Sequence, residues 1–285
     1  MIVVTGATGK LGSQVTSNLL KLGKVQDFIA TSRTEAGVTR LREQGMQARL
    51  ADFDDPSSMH LAFAGVSKIL LISTMDSNRY NQHKNVIDAA KFADVKHVIY
   101  TSLAIKDIHT SAVKELMLSH FQTEEYLIKS GLKYTILRNT MYTDALIDIL
   151  GIEGLNSNIN IPAGKGKVPF ALRREMGEAT ANLLLKPKHK NVIYNITGSH
   201  SYSFSDISKS LKDIRGKQVD YNDISTDIYH QQLKERGFTD FEIYLHSGTI
   251  KDVRNGLYEI VDETMEKLLG RPTATLPDSL RELFL

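Results

Sequence analysis

The first thirteen residues constrain the fold of this chain more than any other stretch. A short run of apolar, mostly β-branched residues, Ile2–Thr5, is followed by glycines at positions 6, 9 and 12. A hydrophobic stripe at helical spacing then runs from Leu11 to Leu22 and stops at Gly23. A strand, a glycine-rich turn and a helix, in this order, are the context that a dinucleotide-binding fingerprint requires.

Each of the three glycines has a separate physical purpose in such a turn. Gly6 allows the chain to leave the strand sharply, and Gly9 leaves room for a pyrophosphate to approach the backbone. Gly12 allows the helix to pack closely against the strand. The unpaired N–H groups at the start of the helix then face the phosphates. The alternative, a glycine-rich turn that binds nothing, is disfavoured by the strand before it and the helix after it.

Composition excludes several classes of function. The 285 residues carry a formal net charge of +2, which gives no electrostatic argument for a nucleic-acid or membrane partner. The chain has no cysteine, so disulfides, thiol catalysis and thiolate metal sites are excluded. No apolar run approaches the length of a membrane span, and the chain opens directly in a core strand. We therefore expect no signal peptide and a cytoplasmic location, and we leave the choice between monomer and homodimer open.

Strand-like apolar runs alternate with amphipathic helical segments through the first half of the chain. The predicted strands are Ile2–Thr5, Phe28–Thr31, Ala48–Ala51, Ile69–Ile72, His97–Thr101 and Tyr134–Leu137. This alternation predicts an α/β fold with a Rossmann-like, doubly wound parallel sheet, in which ligands bind at the carboxyl ends of the strands.

After Arg138 the alternation breaks. A predicted helix from about Arg174 to Leu185 precedes a further strand of the sheet, Val192–Ile196, and the chain is mostly helical from Ser203 onward. We predict a cofactor-binding domain over residues 1–150, to which residues 170–198 return. Residues 199–285 then form a smaller, mostly helical lobe, with a substrate cleft between the two.

The end of the second strand indicates which nicotinamide cofactor would bind. That strand ends in Thr31-Ser32-Arg33-Thr34, without the acid that usually binds the ribose 2′-OH of NAD. The Arg33 guanidinium suits the 2′-phosphate of NADP. Glu35 is the rival, and a solvated surface charge is the alternative for Arg33. We predict NADP(H) over NAD(H).

The next two strand ends would flank the adenosine. Asp52 and Phe53 follow the third strand, and two roles for Asp52 remain open. It accepts a hydrogen bond from the adenine amino group, or it caps the helix that starts near Pro56, as Asp54 or Asp55 would equally do. By topology alone, the end of the fourth strand also lies beside the cofactor, at Ile72, Ser73 and Thr74.

The GxxGxxG spacing of the glycines resembles that of short-chain dehydrogenases, which normally protonate their substrates with a Tyr-x-x-x-Lys pair on the helix after the fifth strand. Of 11 tyrosines only Tyr80 has a lysine four residues later, Lys84, and this pair precedes the fifth strand. We interpret it as a chance match, while a substrate-gating role for Tyr80 stays open.

The helix where the pair is expected, residues 114–127, has no Tyr–Lys pair, and His120 stands about where the lysine would be. His120 is a candidate proton source, although a lone histidine on a helix is more often structural. Without a proton donor, reduction of a simple ketone is difficult because the alkoxide formed is very basic. A quinone gives a weakly basic hydroquinone anion, so the missing pair favours a quinone-like acceptor or no catalysis at all.

Several segments spread over the whole chain resemble the NmrA-like branch of atypical short-chain dehydrogenases. They are TGATGKLG, LLIST, QHKNVIDAAK, YTSL, HFQTEEYLIKSGLKYTILRN, MYTD and LGRPTATLPDSLRELF, of which QHKNVI and YTILRN are the most discriminating. One departure concerns Met141, which stands where a better-known member of that family has an indole. This flexible side chain leaves the preference for an acceptor open.

The resemblance implies a role for each segment. The pyrophosphate would contact the turn at Gly6, Ala7, Thr8, Gly9, Lys10, Leu11 and Gly12. The nicotinamide pocket would be lined by Leu137, Arg138, Asn139, Thr140, Met141 and Tyr142, with Asn139 as a polar contact. Arg173 is a further cofactor contact. Thr101 and Ser102 end the fifth strand beside the nicotinamide face, where Ser102 lacks its usual tyrosine partner and keeps a positioning role at most.

These observations lead to three hypotheses. The first is an NADPH-dependent quinone reductase that transfers hydride directly to a small-molecule quinone, without flavin or metal. The second is a non-catalytic regulator that binds NADP(H), because the NmrA-like group includes such proteins. The third is a reductase of another conjugated acceptor, such as an enone or an azo dye.

Overall fold

A seven-stranded parallel sheet forms the centre of the protein. The computed structural model describes residues 1–151 and 158–284. The strands are β1 (Ile2–Val4), β2 (Phe28–Ser32), β3 (Ala48–Leu50), β4 (Lys68–Leu71), β5 (His97–Leu103), β6 (Lys133–Asn139), β7 (Ile159–Asn160), β8 (Lys167–Val168), β9 (Val192–Ile196), β10 (Tyr202–Ser203) and β11 (Tyr221–Asn222). The sheet has the order β3-β2-β1-β4-β5-β6-β9, and every neighbouring pair is parallel. The seven strands predicted for it are confirmed, with small differences at their ends.

Helices cover both faces of this sheet. The α-helices of the described residues, in chain order, are α1 (Lys10–Lys21), α2 (Glu35–Glu43), α3 (Pro56–Phe63), α4 (Arg79–Phe92), α5 (Lys114–Lys129), α6 (Leu146–Leu150), α7 (Arg173–Leu185), α8 (Phe204–Arg215), α9 (Thr226–Glu235), α10 (Asp240–Arg254), α11 (Thr264–Leu269) and α12 (Leu276–Phe284). One face packs against α1, α2, α7 and α11, and the other against α3, α4 and α5. The predicted Rossmann-like, doubly wound α/β fold is therefore confirmed.

Burial on both faces explains the continuous apolar runs in the sequence. In β4, Ile69 and Leu71 pack into the core beneath α3, α4 and α5, while Leu70 between them packs into the core on the opposite face. Successive residues of a strand point to opposite faces, so a strand covered on both sides needs apolar residues at every position.

A second hydrophobic core lies under the C-terminal helices. It takes in α8, α9, α10 and α12, together with residues from the segments 105–117 and 146–170. Two small sheets, β7–β11 and β8–β10, join these segments to the later part of the chain. Met265 and Leu268 of α11 pack into the core of the main sheet instead. The two cores thus interleave along the chain, and a division at residue 199 stays a prediction.

No helix in the described part of the chain is long and apolar enough to cross a membrane.

Candidate nucleotide-binding site

The turn between β1 and α1 has the tight geometry that its glycines predict. Gly6 has a φ of +60°, a conformation that favours glycine. A Cβ added to Gly12 would lie 2.1 Å from the carbonyl oxygen of Gly6, so no side chain fits where the helix approaches the turn. At Gly9 the nearest atom to an added Cβ is the same oxygen, at 3.2 Å. The backbone conformation and packing of the protein itself therefore account for glycine at positions 6 and 12. They account less well for glycine at position 9.

The start of α1 offers unpaired N–H groups. The helix begins at Lys10, no side chain caps it, and its first turn contains no acid. Its first backbone hydrogen bond runs from the N–H of Ser13 to the carbonyl oxygen of Gly9, at 2.9 Å. The N–H groups of Lys10, Leu11 and Gly12 therefore lack an intrahelical acceptor, and the helix dipole adds positive charge at this end. Together they form a site suited to an anionic phosphate.

A cavity of about 700 Å³ extends from this turn along the carboxyl ends of β2, β3 and β4. Its walls include these predicted residues: Gly6, Thr8, Gly9, Lys10, Leu11, Gly12, Arg33, Asp52, Phe53, Ile72, Ser73, Thr74, Tyr142 and Arg173. They also include Ala51, Asp54, Met75, Asp76 and Gln82, which the sequence analysis did not assign to the cofactor. The cavity lies where the strand order reverses between β1 and β4, the usual ligand position in doubly wound sheets.

The end of β2 leaves Arg33 available for a ligand. Its side chain is exposed and forms no hydrogen bond or ion pair within the described residues. Thr34 caps α2 instead, because its hydroxyl accepts the N–H of Gly37 at 3.2 Å. The rival Glu35 is the first residue of α2 and is not part of the cavity wall. This arrangement favours a 2′-phosphate over a free ribose 2′-OH.

The structure resolves the alternatives for the acids after β3. Asp55 is the N-cap of α3, since its carboxylate accepts the N–H of Ser57 at 3.0 Å. Asp52 accepts the N–H of Asp54 at 3.1 Å and lines the cavity. Helix capping is therefore the role of Asp55, and Asp52 remains a candidate adenine contact.

Gln82 links two loops of the cavity wall. Its side-chain oxygen accepts a hydrogen bond from the hydroxyl of Thr74 at 2.9 Å, and its amide nitrogen donates to the carboxylate of Asp54 at 2.9 Å. Gln82 was not among the predicted site residues, because it lies in α4 and not at the strand ends where a doubly wound sheet is expected to bind its ligand. The sequence signal that could have indicated this role is the position of Gln82 in QHKNVI, one of the two segments that most clearly carry the family resemblance.

Two buried polar atoms without partners lie at the end of β6, outside the cavity wall. Asn139 ends β6, and within the described residues neither its side-chain oxygen nor the hydroxyl of Thr140 has a hydrogen-bond partner. Tyr142, two residues further, forms part of the cavity wall beneath the Arg173 guanidinium, which lies 4.2 Å from the ring centroid. Buried polar atoms are normally satisfied. A ligand amide such as that of nicotinamide would supply the missing partners.

Other predicted residues are engaged elsewhere. The hydroxyl of Ser102 donates to the buried carboxylate of Glu124 at 2.6 Å, and Arg138 donates two hydrogen bonds to the same carboxylate at 2.9 and 2.6 Å. The cavity wall does not include Ala7, Thr101, Ser102, Leu137, Arg138, Asn139, Thr140 or Met141. Their contacts with a cofactor stay predictions.

A protein-family model identifies the family of this chain. The model for the NmrA-like family matches residues 1–267. The chain belongs to the NmrA-like family.

Two relatives that match this NmrA-like protein over nearly its whole length are named as an oxidoreductase and an azoreductase. It is 34% identical to quinone oxidoreductase 2 of Escherichia coli (strain K12), and the match covers 100% of this chain and 99% of that protein. It is 25% identical to the NAD(P)H azoreductase of Xenophilus azovorans, over 98% and 96% of the two chains. These similarities support an NAD(P)H-dependent oxidoreductase.

Two solved structures show the same architecture. The NADPH-dependent quinone oxidoreductase of Escherichia coli in complex with NADPH has a TM-score of 0.92 and 33% identity, and the match covers 100% of both chains. The triphenylmethane reductase of Citrobacter sp. complexed with NADP(H) has a TM-score of 0.91 and 30% identity, over 99% of each chain.

The two catalytic candidates of this NmrA-like protein lie apart from the cavity wall. Tyr80 packs edge-on against Tyr126, with ring centroids 6.4 Å apart, and Lys84 forms an ion pair with Asp88 at 3.0 Å. This places the Tyr80–Lys84 pair between α4 and α5, and a gating role for Tyr80 stays a prediction. His120 is 6% exposed. Burial, followed by the charge of Arg79, holds the pKa of His120 well below its ordinary value.

Proposed function

We propose that this protein is an NADPH-dependent quinone oxidoreductase. The observation that carries the proposal is that α5, the helix on which the usual Tyr–Lys pair would lie, has no such pair and carries a buried His120 with a depressed pKa about where the lysine would be. Hydride transfer to a quinone does not need a strong acid at the acceptor, whereas reduction of a simple ketone does. The similarity to quinone oxidoreductase 2 over the whole chain supports this choice of acceptor.

The cofactor would lie along the carboxyl edge of the sheet. The free N–H groups of residues 10–12 would bind its pyrophosphate, and Arg33 its 2′-phosphate. Asn139 and Thr140 would bind the carboxamide with their unpartnered side-chain atoms. When bound, the cofactor supplies a hydride and the protein supplies its orientation.

The acceptor would enter between the carboxyl edge of the sheet and the C-terminal helices. Ser102 is an unsuitable proton donor, because its hydroxyl hydrogen is held by Glu124. The low pKa of His120 leaves little imidazolium near neutral pH, so water is the better source of the proton that completes the hydroquinone. No flavin and no metal enter this scheme, and a cytoplasmic location and a monomer or homodimer remain part of the proposal.

The experiment is an assay of NADPH oxidation by purified protein with a simple benzoquinone, run beside NADH and beside a blank without protein. The blank is essential because quinones react slowly with NADPH alone. Turnover that is clearly faster with NADPH than with NADH is the expected result. Fast turnover with an azo dye or a triphenylmethane dye, but not with quinones, would contradict the choice of a quinone. The acceptor would then be a dye, as the names of the azoreductase and the triphenylmethane reductase indicate for those proteins.

A non-catalytic NADP(H)-binding regulator is the second candidate. The absence of a Tyr–Lys pair from α5 favours it as much as it favours a quinone. Tight binding of NADPH without turnover of any quinone or dye would favour this regulator over the proposed enzyme.

A further inference from the structure

Four titratable side chains form a buried cluster between β5, α4 and α5. These are Arg79 and His83 of α4, Tyr100 of β5 and His120 of α5, which we call the imidazole cluster. Arg79, His83 and Tyr100 have no exposed surface, whereas His120 retains 6%. Ser119 and Thr123 of α5 bind Arg79 and His83. Beside the cluster, Ser102 and Arg138 bind the carboxylate of Glu124.

Arg79 brings a positive charge into this cluster. Its guanidinium donates to the carbonyl oxygen of Thr74 at 2.5 Å and to the hydroxyl of Ser119 at 3.3 Å. It also contacts the sulfur atoms of Met75 and Met117, and in the described part of the chain none of its hydrogen bonds reaches a carboxylate. A buried cation without a bonded acid disfavours further positive charge nearby. The imidazoles of His83 and His120 are therefore neutral near pH 7.

The hydrogen bonds of the cluster favour one tautomer for each neutral imidazole. The hydroxyl of Tyr100 lies 2.9 Å from Nδ1 of His120. Burial raises the pKa of the Tyr100 phenol, so this hydroxyl keeps its proton. When Tyr100 donates to Nδ1, rather than to the hydroxyls of Thr123 or Ser102 that also neighbour it, the proton of His120 lies on Nε2.

His83 adopts the opposite tautomer. Its Nδ1 lies 3.1 Å from the hydroxyl oxygen of Thr123. That hydroxyl donates its own hydrogen to the carbonyl oxygen of Ser119 at 2.8 Å, so it can only accept from His83. Its Nε2 is buried without a partner. Nε2 of His120 forms no hydrogen bond within the described residues, so in this tautomer its N–H stays available to a ligand.

The position of His120 on α5 places it near the ligand edge of the sheet. Helix α5 leaves the carboxyl end of β5 and leads back to the start of β6. Glu124 meets Ser102 close to the end of β5, and His120 lies one helical turn before Glu124. The backbone of His120 therefore lies nearer to the carboxyl edge of the sheet than that of Glu124, while its ring meets the hydroxyl of Tyr100.

We propose that His120 offers a neutral Nε2–H hydrogen bond to the carbonyl oxygen of the acceptor, and that Tyr100 is the positioning residue that fixes this tautomer. The proposal rests on the proposed quinone reductase function. The hydride brings an electron pair to the quinone, and one quinone oxygen becomes an oxyanion. His120 stabilises that oxygen and keeps its own proton, and water supplies the proton that gives the hydroquinone.

The first test measures the tautomer directly, without cofactor or acceptor. Nitrogen NMR of the isotope-labelled histidine rings distinguishes Nε2–H from Nδ1–H. The expected result for wild-type protein is a neutral Nε2–H tautomer for His120, and a mixture of tautomers in Tyr100→Phe. Tyr134→Phe is the matched control, because Tyr134 is a β6 tyrosine outside the cluster, and it should leave His120 unchanged. An Nδ1–H tautomer in wild-type protein would overturn the role of Tyr100.

The second test measures turnover after wild-type activity with a quinone has been established. His120→Leu removes the donor and should lower kcat about a hundredfold at unchanged NADPH affinity. His120→Gln keeps an N–H group near the position of Nε2 and should recover part of that loss. Tyr100→Phe should lower kcat about tenfold, with little change in KM.

The outcomes separate the donor role from the proposed function. If wild-type protein and His120→Leu reduce the quinone equally fast while both remain folded, the donor role is wrong and the reductase stands. If wild-type protein reduces no quinone, both the proposed reductase function and the donor role of His120 are wrong. The NMR measurement then still decides whether Tyr100 sets the tautomer of His120.

Discussion

The turn between β1 and α1 and the ends of β5 and β6 are built in different ways. At the turn, backbone groups within a few residues of one another line the cavity. Gly6 has a positive φ that favours glycine, and Gly12 has no room for a side chain. At the ends of β5 and β6, side chains from distant parts of the chain bind one another, as in the bonds that join Ser102 and Arg138 to Glu124. The first region depends on local conformation, and the second depends on tertiary packing.

The largest effect should come from filling the turn. In Gly12→Val the new side chain would collide with the Gly6 carbonyl, since even a Cβ would lie 2.1 Å from it. The helix start must move, so we expect NADPH binding to be lost and stability to fall by roughly 3 kcal/mol. Titration with NADPH and thermal unfolding measure the two effects. Ser13→Ala, one residue later on the exposed side of α1, is the control. Normal NADPH affinity in Gly12→Val would show that the phosphates bind elsewhere.

The imidazole cluster should make stability depend on pH. Burial and the charge of Arg79 lower the pKa of His83 from an ordinary 6.5 to about 3. At pH values between these two pKa values, His83 binds a proton in the unfolded chain but not in the folded protein. The free energy of unfolding therefore falls as the pH decreases. From pH 7 to about pH 5, His83 should account for about 2 kcal/mol of this loss.

Urea unfolding of wild-type protein and His83→Gln at several pH values measures this dependence. The variant should show a smaller loss of stability over the same range. His97→Gln is a useful comparison, because the pKa of His97 is also lowered, to about 4, but this residue starts β5 at the opposite edge of the sheet. Identical pH dependence in wild-type protein and His83→Gln would mean that His83 is charged in the folded state.

The sequence was most informative where a site depends on the backbone. Glycine spacing predicted the tight turn at Gly6 and Gly12, because the positive φ and the close contact follow from the lack of a Cβ. Apolar runs predicted all seven strands of the main sheet for a similar reason, since burial on both faces leaves few other residue types possible.

The sequence was less informative where the role of a side chain depends on which partner it meets in the fold. Nothing near Arg138 in the sequence indicates that it binds Glu124, fourteen positions earlier, and the resemblance assigned it to the nicotinamide pocket instead. The environment of His120 was equally hidden, because Arg79 and Tyr100 reach it from other elements. Such pairings depend on tertiary distances that local patterns do not contain.

Arg33 should affect binding by a smaller amount and only for one cofactor. Arg33→Ala removes an exposed guanidinium without other partners, so folding should be unchanged. Loss of a charged contact with the 2′-phosphate should weaken NADPH binding by about 2 kcal/mol and leave NADH affinity as it was. Titration with both cofactors measures this, with Arg40→Ala on the exposed side of α2 as the control. An equal loss for NADPH and NADH would contradict recognition of the 2′-phosphate by Arg33.

The smallest effects should separate two neighbouring acids. Asp55→Ala removes the cap of α3 and should lower stability by about 1 kcal/mol, with no change in NADPH affinity. Asp52→Asn should do the reverse, because Asp52 lines the cavity and is not the cap: affinity should fall a few fold and stability should barely change. Urea unfolding and NADPH titration of both variants provide the comparison. A stability loss in Asp52→Asn as large as that in Asp55→Ala would assign Asp52 to the helix rather than to the adenine.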